Sequence, residues 1–269
     1  MLIPFIINFL VKTGIYFLIM YLSGLLVLRK GVKVNYTRKI NHFSLLAVPF
    51  LLGIILRQPP PPPGGATGNY TMQVIGLLSG LLFFVLFIKP IRERVAIFNT
   101  AFLGIDRPED RPYTLRWMVS QTAANFIAVI PIAIYLGMIN KPEGIFILIL
   151  INGIGDGLAE PVGVRFGKHK YRTSALFTNR KYVRSIEGSA CVFITSMVVV
   201  SLFSSLFSTT QFIIALITFP IVMTLTEAKA PHTWDNPILF SVGSVLLFLI
   251  LHFVGRTRRH RESPWCQGV

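Results

Sequence analysis

Apolar residues run along this chain in long blocks, not in the alternation of strands or the single stripe of a surface helix. Blocks near 10–28, 41–56, 71–88, 117–139, 144–162, 186–207, 211–226 and 237–254 carry little charge. Each reaches about 16–23 residues, the length a helix needs to cross a bilayer. The pattern predicts an all-α fold, a polytopic transmembrane helical bundle of about seven to nine spans. No stretch has the makeup of a separate soluble domain, so residues 1–269 read as a single integral membrane domain.

The connections alternate in character. Basic ones follow the first block (Arg29, Lys30, Lys33, Arg38, Lys39), the third (Lys89, Arg92, Arg94) and the fifth (Arg165 to Arg184). Those between are poor in charge, which assigns the basic set, and the loop from Glu227 to Asn236, to the cytoplasmic side. The basic tail over 255–269 conflicts with this, because eight full crossings leave it on the opposite side. Residues 57–70 include five consecutive prolines, Pro59 to Pro63, and predict a semi-rigid polyproline loop ending in glycines. Over 91–105, Ile91, Val95, Phe98, Phe102 and Ile105 recur at helical spacing opposite Arg92, Glu93, Arg94 and Asn99. That spacing predicts an amphipathic helix at the membrane interface, either a strut or a gate for a lipid.

Composition agrees with lipid as the main solvent: 53% of residues are hydrophobic, 14% are charged and the mean hydropathy is +0.64. The net charge of +15 would suggest nucleic acid in a soluble protein. Here the cations flank apolar spans and meet lipid headgroups, so nucleic acid is not an expected partner. Cys191 and Cys266 have no metal-ligand spacing.

Carboxylates number only 11, so their positions carry information. Five of them, Asp156, Glu160, Glu187, Glu227 and Asp235, lie at or just beyond the ends of apolar spans, all on the face read as cytoplasmic. Ionisable groups in such places are expensive to keep and usually functional. On a helix, Asn152, Asp156, Glu160 and Gly163 share one face. The glycines around them permit close approach of either a phosphate or another helix. Carboxylates suit Mg²⁺, and the following cations (Arg165, Lys168, His169, Lys170, Arg172, Arg180, Lys181, Arg184) suit phosphates. An ordinary positive-inside loop explains those cations equally well. The spacing of a Walker A loop or of a dinucleotide fingerprint is absent.

The segment Gly155-Asp156-Gly157-Leu158-Ala159-Glu160-Pro161-Val162-Gly163 with Gly167 resembles the GD-x-x-A-x-x-x-G core of the phytol kinase and dolichol kinase family, which includes CTP-dependent diacylglycerol kinases. Three more elements are similar in order. They are Arg38-Lys39-Ile40-Asn41-His42, then Arg184-Ser185-Ile186-Glu187-Gly188-Ser189-Ala190, and Glu227 with Asp235-Asn236-Pro237. Together they extend over about 200 residues, far more specific than any one motif. Arg184 stands where the family usually has Lys, which keeps the charge and changes the geometry. The Glu160-Pro161 pair is not general in the family.

The resemblance implies a membrane kinase that transfers the terminal phosphate of CTP, or another nucleoside triphosphate, to the hydroxyl of a lipid alcohol such as a prenol, phytol, polyprenol or diacylglycerol. It implies Asp156, Glu187 and Asp235 as catalytic and Mg²⁺-binding residues, with Glu160 and Glu227 as weaker candidates. Arg38, Lys39, His42, Lys168, Arg184 and Asn236 are implied on the nucleotide or the acceptor, and Gly155, Gly157 and Gly163 as points of close backbone approach. The active site is expected on the cytoplasmic face. Two other readings compete: a CTP-dependent phosphatidate cytidylyltransferase-like enzyme, whose lysine–aspartate signature is missing, and a transporter, whose inverted repeats are missing.

Overall fold

In a computed structural model of the protein, the apolar blocks fold as helices. The structure describes residues 2–55, 78, 80–175, 178–232 and 234–254. Helices α1 (Leu2–Lys30), α2 (Val34–Ile55), α3 (Lys89–Arg92), α4 (Ala96–Leu103) and α5 (Thr114–Met138) come first. Next is one long rod made of α6 (Ile145–Leu150), a π-helical stretch Ile151–Asp156 and α7 (Gly157–Phe166). A hairpin of β1 (Lys170–Ala175) and β2 (Thr178–Ser185) leads into α8 (Ile186–Leu202), α9 (Thr209–Lys229) and α10 (Asp235–Phe253).

Among the described residues six helical stretches are long and apolar enough to cross a membrane: Phe9–Lys30, Val34–Ile55, Thr114–Met138, Pro142–Phe166, Thr209–Lys229 and Asp235–Phe253. The fold is therefore the expected all-α helical bundle. Helix α8 is apolar but has 17 residues, short of the others. Residues 71–77 and 79 of the expected crossing at 71–88 lie outside the described residues, and the polyproline loop and the basic tail lie outside them entirely.

By its internal contacts the chain divides into two compact units, with the boundary inside α5. The first holds residues 1–62 and 69–123. Here α1 meets α4 so closely that a Cβ on Gly24 would stand 1.7 Å from the Thr100 carbonyl oxygen. Phe17 and Phe98 stack edge-to-face at 5.7 Å, and Thr37 of α2 donates to the Gly104 carbonyl at 2.7 Å. The amphipathic helix expected over 91–105 is broken into α3 and α4 by Glu93 to Val95. Its apolar residues Phe102 and Ile105 are buried in the unit's core with Met20 and Phe87, not laid on lipid. The acids of the following connection are structural: Asp110 pairs with Arg107 at 2.7 Å, and Asp106 takes Arg111 and Thr114, both at 2.7 Å.

The second unit, residues 63–68 and 124–269, is built around the rod Pro142–Phe166, over half of which is buried, more than any other span. Leu148 and Ile151 of the rod pack with Val192 of α8, Phe219 and Met223 of α9 and Leu247 of α10. Lipid tails are as apolar as leucine, so helices gain cohesion in a membrane by close packing and hydrogen bonds. The sequence supplies both. Gly188 lets α8 approach until a Cβ there would lie 2.5 Å from the Ala159 carbonyl oxygen. Ser185 caps α8 by accepting from the Gly188 N–H at 3.1 Å. A Ser208–Gln211 capping box starts α9, and the Gln211 amide reaches across to the Ile250 carbonyl at 3.2 Å.

Gly188→Val would force α8 off the rod. An overpacked helix contact of this kind costs about 1–3 kcal/mol, so the apparent Tm in detergent should drop. Gly14→Ala, with nothing within 4 Å of the new Cβ, should leave it unchanged.

Candidate functional site

The second unit gathers charged side chains from four separate elements, from the hairpin, from the facing ends of α9 and α10, and from the middle of the rod. Arg184 comes from β2, Glu227 from the last turn of α9, Asp235 from the first turn of α10 and Asp156 from the end of the π-helical stretch. The three acids are buried, with Glu227 3% exposed, Asp156 5% and Asp235 6%, and the Arg184 side chain is 7% exposed. The Arg184 guanidinium lies between two of the acids. Its Nη1 donates to the Glu227 carboxylate and to the Glu227 backbone carbonyl, and its Nη2 donates to Asp235 Oδ2 at 3.1 Å. Burial works against its charge, but Asp235, Glu227 and Asp156 together hold its pKa above the ordinary arginine value.

A polar chain continues from Glu227. Ser189 of α8 donates to Glu227 Oε2 at 2.7 Å, and the Tyr171 hydroxyl of β1 shares a 2.6 Å hydrogen bond with Ser189. Burial first, and the Glu227 charge second, push the Tyr171 hydroxyl pKa up. On the other flank the His232 ring stacks on Tyr182 at 4.5 Å and comes within 4.0 Å of Asp235. The Asn152 side chain donates to the Asn236 carbonyl at 3.2 Å, which ties the π-helical stretch to the start of α10. π-turns of this kind are rare and often mark functional positions.

The hairpin explains why only one of many cations enters the site. Its register pairs Tyr171 with Arg184 and Thr173 with Tyr182, so these four share a face. That face is turned inward, whereas Lys170, Arg172 and Lys181 of the opposite face are exposed, as is Lys168 just before β1. The sequence treated Arg165 to Arg184 as one basic loop, and only strand alternation separates the inward guanidinium from the outward cations. Tyr171 and Tyr182 were not singled out by sequence reasoning. The available signal was their period-two spacing with Thr173 and Arg184 across a hairpin.

Of the residues expected in the site, Asp156, Asp235, Asn236 and Arg184 are brought together, and Glu227 with them. Glu187 is not. It sits in the first turn of α8 and binds His169 at 2.8 Å at a more exposed position. Its own backbone N–H, then the His169 contacts, hold its carboxyl down at about 2. Glu160 lies one turn beyond Asp156, partly buried. Gly155 and Gly163 face α8, where a Cβ would meet Val192 Cα at 3.2 Å and Ser185 Oγ at 3.0 Å. Their missing side chains therefore let the rod and α8 pack closely. Gly157 is buried in the rod. Arg38, Lys39 and His42 belong to α2 of the first unit, where Lys39 is 4% exposed.

The expected metal trio Asp156, Glu187 and Asp235 is not assembled. Among the described residues no three His, Cys, Asp or Glu side chains could hold one metal ion. The arrangement does fit a cation that arrives with a phosphate ligand. The buried oxygens Asn152 Oδ1 and Asn236 Oδ1 have no hydrogen-bond partner, and they adjoin Asp156 and Asp235 in the fold. Mg²⁺ is commonly held by one or two carboxylates plus substrate phosphates, without a protein cage.

Removing one partner of a buried, hydrogen-bonded charge cluster leaves the others uncompensated, at a cost of about 3–5 kcal/mol. Arg184→Met should therefore lower the detergent Tm sharply. Arg184→Lys should rescue it only in part, because one ammonium cannot reproduce the fork between Glu227 and Asp235. Glu187→Gln, which removes an exposed pair, should leave the Tm nearly unchanged. Thermal unfolding followed by size-exclusion recovery measures all three.

No protein-family model matches this chain, and no curated protein and no solved structure is significantly similar to it.

Proposed function

We propose that this chain is a membrane-embedded lipid-alcohol kinase, which transfers the terminal phosphate of CTP or another nucleoside triphosphate to the hydroxyl of a prenol, phytol, polyprenol or diacylglycerol. The observation that carries the reading is the buried set Asp156, Glu227 and Asp235 around Arg184, beside an exposed rim of Lys168, Lys170, Arg172 and Lys181. Phosphoryl transfer needs little covalent help from a protein. It needs charge neutralisation on the phosphates, an oriented hydroxyl and an acceptor for its proton.

Each requirement has a candidate here. The rim cations lie at the polar end of the unit and suit the nucleotide's phosphates. Asp156, at the end of the π-helical stretch in the middle of the rod, accepts the proton as the lipid oxygen bonds to the terminal phosphorus and the bond from that phosphorus to its bridging oxygen breaks. Arg184 keeps Glu227 and Asp235 in place, a positioning role. Asn236 orients the hydroxyl or a phosphate oxygen. Mg²⁺ enters as part of the nucleotide substrate and, when bound, neutralises charge on the transferring oxygens. The positive-inside rule puts this end of the unit in the cytoplasm, where nucleotides are available.

Purified protein incubated with labelled CTP or ATP, Mg²⁺ and a panel of lipid alcohols should yield a labelled lipid phosphate and the nucleoside diphosphate. Failure with phytol, geranylgeraniol, polyprenols and diacylglycerol alike would sink the kinase reading. Release of pyrophosphate in place of the diphosphate would replace it with nucleotidyl transfer. Asp156→Asn should reduce turnover by roughly 100-fold or more, the scale of a lost general base, measured on the fraction that stays folded in size-exclusion. Chelation of Mg²⁺ should abolish transfer, and its return should restore it.

A further inference from the structure

Between α5 and α10 lies a cavity of about 710 Å³ that the charged cluster does not use. Its walls are Ile127, Ala128 and Pro131 on one side and Ile238, Ser241 and Val245 on the other. The two helices run in the same direction here, since Ala128 faces Ser244 and Tyr135 faces Phe248 further along. Ile127 is 72% exposed and Val245 58%, so the cavity is a groove open to the side, at the depth of the membrane-spanning helices.

The lining offers almost nothing polar to a guest. Ser241 donates to its own helix at the Pro237 carbonyl (2.8 Å), and Ser244 turns to the Ala128 carbonyl. One end is closed by an aromatic stack in which Tyr135 meets Phe248 at 4.7 Å and Phe248 lies flat on His252 at 5.0 Å. The Tyr135 hydroxyl points to His252 Nδ1 at 3.5 Å. The other end is formed by Trp234 and Pro237, which flank Asp235 and Asn236 of the charged cluster. From Pro237 to Phe248 the helix rises roughly 16 Å, about half of a ~30 Å hydrocarbon core. The groove is therefore as deep as one leaflet, apolar along its length, and polar only where it meets the cluster.

We infer that this groove binds a single hydrocarbon chain of a membrane lipid, entering sideways between α5 and α10, with its methyl end at Tyr135 and Phe248 and its hydroxyl at Trp234 to Asn236. The volume lies in the range of small-ligand pockets, enough to hold a hydrocarbon chain along the groove. Identifying the bound lipid as the phosphoryl acceptor rests on the kinase proposal, whereas occupancy of the groove by a chain does not.

The test uses the full-length protein in lipid nanodiscs and a long-chain alcohol carrying a diazirine at its methyl end. Photolysis should label peptides of α5 and α10 around Tyr135 and Phe248, and excess unlabelled alcohol should compete the label away. Ala128→Phe, which fills the groove, should lower labelling roughly tenfold or more, the scale of a steric change in an apolar pocket. Ala128→Leu, a milder change, guards against a variant that fails to fold. In the transfer assay Ala128→Phe should raise the KM for the alcohol by the same factor, with the nucleotide KM unchanged. Label spread over all lipid-facing helices, or label that does not compete, means contact with bulk bilayer only and overturns the groove. Normal transfer with an unchanged alcohol KM in Ala128→Phe also overturns it and leaves the kinase reading intact. Competable label at Tyr135 and Phe248 without transfer keeps the groove and removes the kinase reading.

Discussion

The second unit depends on a buried guanidinium held between two carboxylates. Arg184 reaches Glu227 and Asp235 from a hairpin, and in doing so joins β2 to the end of α9 and the start of α10. A charge removed from water is tolerable only when its partners are fixed and its donors are used. The surrounding structure meets that demand. Ser189, itself bonded to Tyr171, donates to the far oxygen of Glu227, the backbone carbonyls of Glu227 and Ala230 accept from the guanidinium, and His232 lies against Asp235. Loss of the fork would free three elements at once.

That constraint explains the shape of the neighbouring parts. For Arg184 to face inward, β2 must be a strand whose alternate residues face out, which is why the same short segment carries a basic outer surface. For α8 to bring Ser189 to Glu227, it must lie close against the rod, and Gly155, Gly163 and Gly188 remove the side chains that would prevent it. The glycines look like a ligand loop in sequence, but here they are the means by which a polar cluster is assembled inside a membrane protein. Cohesion through small residues and interhelical hydrogen bonds replaces the hydrophobic drive that lipid cannot supply.

The groove between α5 and α10 begins where the cluster ends. Trp234 and Pro237 line it while Asp235 and Asn236, between them in sequence, belong to the polar site. A start-of-helix position thus puts an apolar slot and a charged centre within a few residues of each other. A lipid with a hydroxyl at one end of a chain has the same division of properties.

What the sequence by itself determined is the class of the molecule. Long unbroken apolar blocks read as helices in lipid, because the other way to satisfy the backbone there, a closed barrel, needs short strands of alternating character. The rarity of carboxylates marked Asp156, Glu227 and Asp235 as candidates before any fold was known. What only the tertiary structure decided is which groups meet. Glu187 and Glu227 are indistinguishable by rarity, yet one turns to His169 near the surface and the other is buried on Arg184. The helix expected over 91–105 breaks and buries its apolar face, because α1 offers it a protein surface in place of lipid. Periodicity records which face of an element is apolar, but not what that face will meet. The direction of Arg184, the stacking of Tyr182 on His232 and the gap between α5 and α10 arise from contacts distant in sequence, and no local pattern encodes them.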